Sequence, residues 1–356
     1  MQQLLKLFNF LLKVPTLHEQ EINFKDEREV YNDGMESVSK ILSHIDVYLS
    51  LGRGRLETIK ALILGIISAR SVNLKEVCAR FEHGIESSNY RKVQYFFQKQ
   101  NLNDAEVIRF IIDHLFAPHE QVTLAIDRTD WEFGKTRHNL LCISVLYKET
   151  AIPLMVLPLE RKGNSSCEHR KEILKTLLSV VPARKIKALL GDREFIGDEW
   201  FQVLLENKIP FVMRVKDNMI IGLTGKTGKI KELCVEQKPT DYGAVHIGTQ
   251  LLQLHTIKND DNLIAVISHE VDNPLGLYKK RWGIETGFKC LKSNGFNLED
   301  THLRHGERMK TLVQICAIAM VLSFLATAYA DEAIPDIKKN TDTNSSPPLH
   351  MQDASS

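Results

Sequence analysis

Two aspartates stand where apolar runs stop: Asp127 closes LAID and Asp192 closes LLGD. A carboxylate that follows a buried run costs roughly several kcal/mol in desolvation unless a cation or hydrogen bonds compensate. Either residue alone reads as an ordinary strand-end turn aspartate. Together, at the same end of adjacent strands, they occupy a place where ligands and catalytic groups collect in open sheets. Two hard oxygen donors there suit Mg²⁺ or Mn²⁺. A third carboxylate comes from a helix read over Leu275 to Lys292. At about 100° per residue, Tyr278, Arg281, Glu285 and Lys292 point within about 60° of one another. Taken alone, that face reads equally as a solvated one in which Arg281 and Lys292 pair with Glu285. Trp282 and Lys289 flank it with a ring and a further cation. Such a combination suits a phosphate-rich ligand and a base or sugar to stack on.

Three carboxylates holding two divalent ions are one way to cleave phosphodiesters without a covalent enzyme intermediate. A nucleotide-hydrolysing P-loop is excluded, because GLTGKTGK around Gly225, Lys226 and Thr227 lacks the required spacing and strand–helix context. Lysine plus arginine number 46 against 45 acidic residues, so any DNA binding must come from local patches, not from the charge of the whole chain. The six cysteines form no CxxC pair and no zinc-spaced cluster, and read as reduced thiols.

The elements that must position these groups change character near Gln121. Residues 1–118 read as an all-helical N-terminal domain, since Ile59, Leu62, Ile63, Ile66 and Ile67 recur at three- and four-residue spacing. From 119 to 331 the reading is an α+β catalytic domain. Strands VTLAI (122–126), LLCISVLY (140–147) and IPLMVLPL (152–159) form a meander. A helix over 167–181, strand IKALL (186–190), a helix over 198–207 and strand FVMRV (211–215) follow. That order is ribonuclease-H-like, of the retroviral-integrase type. Gly-rich turns and alternating stretches at about 217–273 read as a small β-rich insertion, and 332–356 as a disordered tail. Met1 to Pro15 is interrupted by Lys6 and Lys13 and does not make a convincing signal peptide. Thr311 to Ala330 is long and apolar enough to span a bilayer, but its Gln314, Ser323 and Thr327 favour a buried helix and a protein without membrane partners.

The helix motif Y278-x2-R281-x3-E285-x6-K292, preceded in order by IDRTDWEFGK (126–135) and LLGDREFIG (189–197), resembles transposases of the insertion-sequence 4 family over roughly 120–330. The resemblance implies a metal-binding catalytic triad of Asp127, Asp192 and Glu285. It implies phosphate contacts from Tyr278, Arg281 and Lys292, and two Mg²⁺ or Mn²⁺ ions as cofactors. It further implies an enzyme that binds the terminal inverted repeats of a mobile element, cuts the DNA and joins its 3′-hydroxyl ends to target DNA. A homodimer in the synaptic complex and a location at the bacterial nucleoid, in the cytoplasm, go with that activity. The best-understood relatives carry in the insertion a tryptophan that stacks on a flipped base. Here Trp131, Trp200 and Trp282 all lie outside 217–273, and Tyr242 is the ring that could substitute.

Ahead of the catalytic domain, Asn73 with Glu76 reads as a capping pair for LKEVCARF, and Ser87 or Ser88 as the cap of NYRKVQYFFQKQ. Two short helices with a tight link resemble a helix-turn-helix whose second helix would present Arg91 and Lys92 to a major groove. A helical bundle with solvated charges fits the same residues. For the whole chain, a ribonuclease-H-like nuclease without strand transfer and a catalytically silent, domesticated DNA-binding protein are the rival readings.

Overall fold

The computed structural model describes residues 42–333 apart from 100, 134–135, 161–162, 224, 235 and 260–261. Met1 to Pro15 and residues 334–356 of the expected tail lie outside the described residues. After a helical stretch at 42–48 come α1 (Arg53–Ala69), α2 (Leu74–Cys78), α3 (Glu86–Lys99) and α4 (Asp104–Leu115). The apolar spacing in α1 does what it predicts: Ile59, Leu62, Ile63, Ile66 and Ile67 are all buried. The side chains of Asn73 and Asn103 accept N–H groups at the starts of α2 and α4, satisfying donors that the helices leave orphaned. The capping expected of Ser87 or Ser88 is corrected. Helix α3 starts at Glu86, and both serines lie within its first turn, where Ile85 O accepts the N–H of Ser88.

Strands β1 (Val122–Phe133), β2 (Thr136–Tyr147) and β3 (Thr150–Pro158) form an antiparallel meander. Helix α5 (Cys167–Leu178) then crosses over to β4 (Ile186–Gly191), which pairs parallel to β1. Helix α6 (Asp198–Glu206) leads to β5 (Phe211–Val215), parallel to β4. The order β3-β2-β1-β4-β5 is compatible with the ribonuclease-H-like fold expected from the sequence. Asp127 does not end its strand as expected. β1 runs on to Phe133 because β2 continues to pair with it through Phe133↔Thr136 after β4 has stopped at Gly191.

The β-rich insertion is not a small unit set apart from the sheet. Its strands β6 (Ile220–Leu223), β7 (Lys226–Lys229), β8 (Thr240–Ile247), β9 (Gln250–Asn259) and β10 (Asn262–His269), with the short α7 (Ile230–Leu233), extend it to ten strands in the order β3-β2-β1-β4-β5-β10-β9-β8-β6-β7. β10 pairs antiparallel with β5 and covers what would otherwise be an open, hydrogen-bonding edge.

The single helix read over Leu275 to Lys292 is broken into α8 (Pro274–Lys279), α9 (Trp282–Lys289) and a π-helical turn (Cys290–Asn294). Short-range bonds from Arg281 N to Tyr278 O and from Gly283 N to Lys280 O tighten the junction. Helix α9 lies close on β3, where a side chain at Gly287 would collide with the Ala151 carbonyl. The long α10 (Gly306–Ala333) follows. Its stretch Gly306–Ala326 is apolar enough to cross a membrane, but 78% of it is buried inside the protein, between β3 on one side and α1 and α4 on the other. A helix apolar on every side is stable in that position. Two of its polar side chains reach one acceptor: Gln314 Nε2 and Lys310 Nζ both donate to Asp104 at 2.7 Å.

Candidate active site

The last parallel pair between β1 and β4 is Ile126↔Gly191, and Asp127 and Asp192 are the next residues on each strand. Since partners in a parallel register share a face, the two carboxylates emerge side by side where β4 leaves the sheet. Asp127 Oδ1 accepts the N–H of Arg128 at 2.7 Å, and Asp192 Oδ1 accepts the N–H of Glu194 at 2.8 Å. Burial, reinforced by the charges of Asp192 and Glu194, pushes Asp127 up to about 6. The Arg128 N–H and the Arg281 guanidinium offset part of that rise.

Arg281 faces both walls of the site. Its Nη1 donates to Asp127 Oδ2 at 3.1 Å and its Nη2 to Glu285 Oε1 at 2.8 Å. Glu285 is thus on the α9 wall as expected, one guanidinium away from Asp127. Among the described residues, no three Asp, Glu, His or Cys side chains close on a common point as metal ligands do. The donors nonetheless fit a divalent cation. Asp127 is a largely buried carboxylate whose burial Arg128 N–H and Arg281 only partly offset, beside a second carboxylate, and both offer hard oxygens.

The other expected residues have different partners around Arg281 and Glu285. Tyr278 is turned inward and packs in the cluster of Leu277, Ile284, Val212 and Val266, with the Arg281 guanidinium 5.8 Å from its ring centre. Burial pushes its phenol up. Lys292, on the π-helical turn, does not pair with Glu285. Its Nζ donates to Asp130 O at 3.0 Å and lies 5.5 Å from the Trp131 ring centre. It is therefore seated on the β1–β2 hairpin. Trp282 is 67% exposed at the start of α9, and Lys289 is exposed at its end. Arg91 and Lys92 are exposed on α3, whose buried side, Val93, Phe96 and Phe97, packs towards α1, α2 and α10. Tyr242 is half-buried, with its hydroxyl in the interior and its ring against the core.

Two residues beside the aspartates escaped the sequence reading. Arg128 Nε meets Glu194 Oε2 at 3.1 Å, with 19% and 12% of their side chains exposed. The available signal was two charges of opposite sign, one directly after Asp127 and one two residues after Asp192.

The family description "Transposase DDE domain" matches residues 118–322, more than half of the chain and the whole of this site. The chain belongs to the DDE transposases. Members of this family generally use divalent metal ions and act on DNA. No curated protein matches the chain. Among solved structures, the endonuclease V of Bacillus subtilis is similar over 65% of this chain and 91% of that one, at 11% identity and a TM-score of 0.26. A likeness that slight carries no argument about this transposase.

Proposed function

We propose that this transposase binds the terminal inverted repeats of an insertion sequence of the insertion-sequence 4 type, cuts the DNA there and joins the 3′-hydroxyl ends to a target duplex. The observation that carries the proposal is the pair Asp127 and Asp192 at the end of the β1·β4 pairing, linked through Arg281 to Glu285, in a chain of this family. Asp127, Asp192 and Glu285 are assigned as the ligands of two Mg²⁺ or Mn²⁺ ions. Such ions, when bound, supply Lewis acidity at the attacking and leaving oxygens of an in-line displacement. The protein's own part is positional. The two aspartates are held from behind by main-chain N–H groups, leaving Asp127 Oδ2 on the Arg281 side. Arg281, once released from Asp127, is placed to meet a phosphate oxygen beside the scissile bond, with Tyr278 beneath it and Lys292 farther along. Trp282 and Lys289 supply an exposed ring and a cation on the same wall. Arg91 and Lys92 on α3 are assigned to the terminal repeat. The working species in this reading is a homodimer on paired ends, at the bacterial nucleoid.

In the cut, a water oxygen bonds to phosphorus as the P–O3′ bond breaks, giving a 3′-hydroxyl and a 5′-phosphate. In joining, that 3′-hydroxyl attacks a target phosphodiester, and a target 3′-hydroxyl departs. One phosphodiester replaces another, so no ATP is needed. The test uses duplexes that carry the inverted repeats flanking the transposase's own gene, with Mg²⁺ or Mn²⁺. Pre-cut ends with a 3′-hydroxyl should become covalently joined to target DNA, and ends finished with a 3′-deoxy nucleotide should bind equally well but fail to join. Degradation of plain duplex with neither end joined would replace this reading with a simple nuclease; binding with no chemistry would leave a silent DNA-binding protein.

A further inference from the structure

The parallel ladder brings Asp127 and Asp192 to one end of the sheet but does not bond them to each other. Parallel pairing of β1 with β4 ends one residue before each of them. Beyond that point β1 is held on its far side by β2, through Asp127↔Cys142 and Arg128↔Leu141. The chain after β4 turns away, with Phe195 N bonding back to Asp192 O. The described bond across the gap joins side chains, Arg128 Nε to Glu194 Oε2 at 3.1 Å. The same two residues donate the main-chain N–H groups that hold Asp127 Oδ1 and Asp192 Oδ1.

We propose that the Arg128–Glu194 ion pair is a brace that fixes the separation of the two aspartates, making Arg128 and Glu194 positioning residues for the cleavage site. This rests on the reading of Asp127 and Asp192 as metal ligands. Each end of the brace is itself anchored. Arg128 Nη1 donates to Asn139 Oδ1 on β2 at 3.1 Å. Glu194 Oε1 accepts both the N–H and the hydroxyl of Ser165, at 2.9 and 3.1 Å. Buried Arg170 donates to Ser165 Oγ, to Ser165 O and to Glu194 O, closing the loop before α5 onto the turn after β4. An ion pair this shielded is no better for stability than a well-packed apolar pair. Its value lies in geometry. Movement of either strand end relative to the other must stretch a hydrogen-bonded charge pair, so the carboxylates stay at one spacing while DNA and metal exchange. Partners of this kind, one step behind metal ligands, typically contribute about 10–100-fold in metal affinity or activity.

The test uses the full chain, Mn²⁺ alone as the calorimetric probe, and nicking of terminal-repeat duplexes in Mg²⁺. Arg128→Gln should lower both Mn²⁺ affinity and kcat about 10–100-fold, with KM for the duplex within about twofold and an unchanged circular dichroism spectrum. Arg128→Lys should recover part of the loss, since it restores the charge without the contact to Asn139. The double variant Arg128→Gln, Glu194→Gln should be no worse than the weaker single one, because each change breaks the same link. Arg137→Gln, which removes ion pairs to Asp130 and Glu132 on the same hairpin, should leave both readouts at the wild-type level. Wild-type Mn²⁺ affinity and kcat in Arg128→Gln, an additive double variant, or an equal loss in Arg137→Gln would each overturn the brace. If Arg128→Gln does not fold, Arg128→Lys and Glu194→Gln carry the same comparison. Asp127→Asn and Asp192→Asn separate the two readings. If both bind Mn²⁺ as wild type does, the metal assignment falls and the brace with it. If both lose Mn²⁺ while Arg128→Gln keeps it, only the brace falls.

Discussion

On the strand wall of the site, Asp127 and Asp192 each accept a main-chain N–H and stand beside a half-buried ion pair anchored in the sheet. On the helix wall, Glu285 has 43% of its side chain exposed and is tied to the site by the Arg281 guanidinium. The first wall is built before any ligand arrives, whereas the second is positioned by packing of α9 on β3 and by one arginine that contacts both walls. The difference teaches where this transposase can adjust. A carboxylate at the end of a paired strand follows the ladder that precedes it, while one on a short helix can move with that helix.

The largest expected effect tests whether the walls act as a unit. Asp127→Ala, Asp192→Ala and Glu285→Ala should each reduce strand cleavage by at least about 1,000-fold, and combining any two should add little, as for residues that act together. Binding to terminal-repeat duplex, measured by fluorescence anisotropy, should stay within a few-fold of wild type. Loss of binding with residual cleavage intact would show that these carboxylates serve affinity, not chemistry.

A smaller effect comes from pushing the helix wall off the sheet. Gly287→Ala places a methyl group against the Ala151 carbonyl, a backbone atom that cannot rotate away. The strain should cost about 1–3 kcal/mol in chemical denaturation and reduce cleavage by moving Glu285. A variant with wild-type stability would show that α9 sits less closely on β3 than described.

The smallest effect reports the electrostatics of the strand wall. Asp127 has a value of about 6 in the folded chain against 3.8 ordinarily. Between those values the folded state binds more protons than the unfolded one, so this group's contribution to stability falls as pH rises through the window. In a chelator at pH 8, Asp127→Asn should therefore be more stable than wild type by about 1–3 kcal/mol. That advantage should vanish as the pH approaches 4, and Mn²⁺ should raise the melting temperature of wild type but not of the variant. Equal stability of the two proteins at pH 8 would mean that Asp127 is already compensated without metal.

Much of this was legible in the residues. Apolar runs of the right length, in the order of three strands, helix, strand, helix, strand, predict the sheet's first half, and the three- and four-residue spacing of apolar residues in α1 predicts its buried face. LAID and LLGD name two aspartates because a carboxylate after a buried run needs a physical reason to be there. What stayed hidden was where strands stop and helices break. Asp127 read as a strand end because apolar content ends there, yet hydrogen bonding to β2 carries β1 on through polar residues. The helix over 275–292 read as continuous because its residue types allow it, while in the fold a tight turn at Lys280 and Arg281 interrupts it and Gly287 seats the second part against β3.

The amino-acid sequence by itself determined the carboxylates, their order, and the family to which the chain belongs, since those depend on residue type and spacing along one strand or helix. Tertiary structure alone decided that β10 closes onto β5 and makes the insertion part of the main sheet. It also decided that Tyr278 turns inward, that Arg281 reaches from Glu285 to Asp127, and that Arg128 meets Glu194. Each of these is a contact between segments far apart in the chain, set by register, helix breaks and burial, and no local pattern of charges or apolar residues encodes such distances.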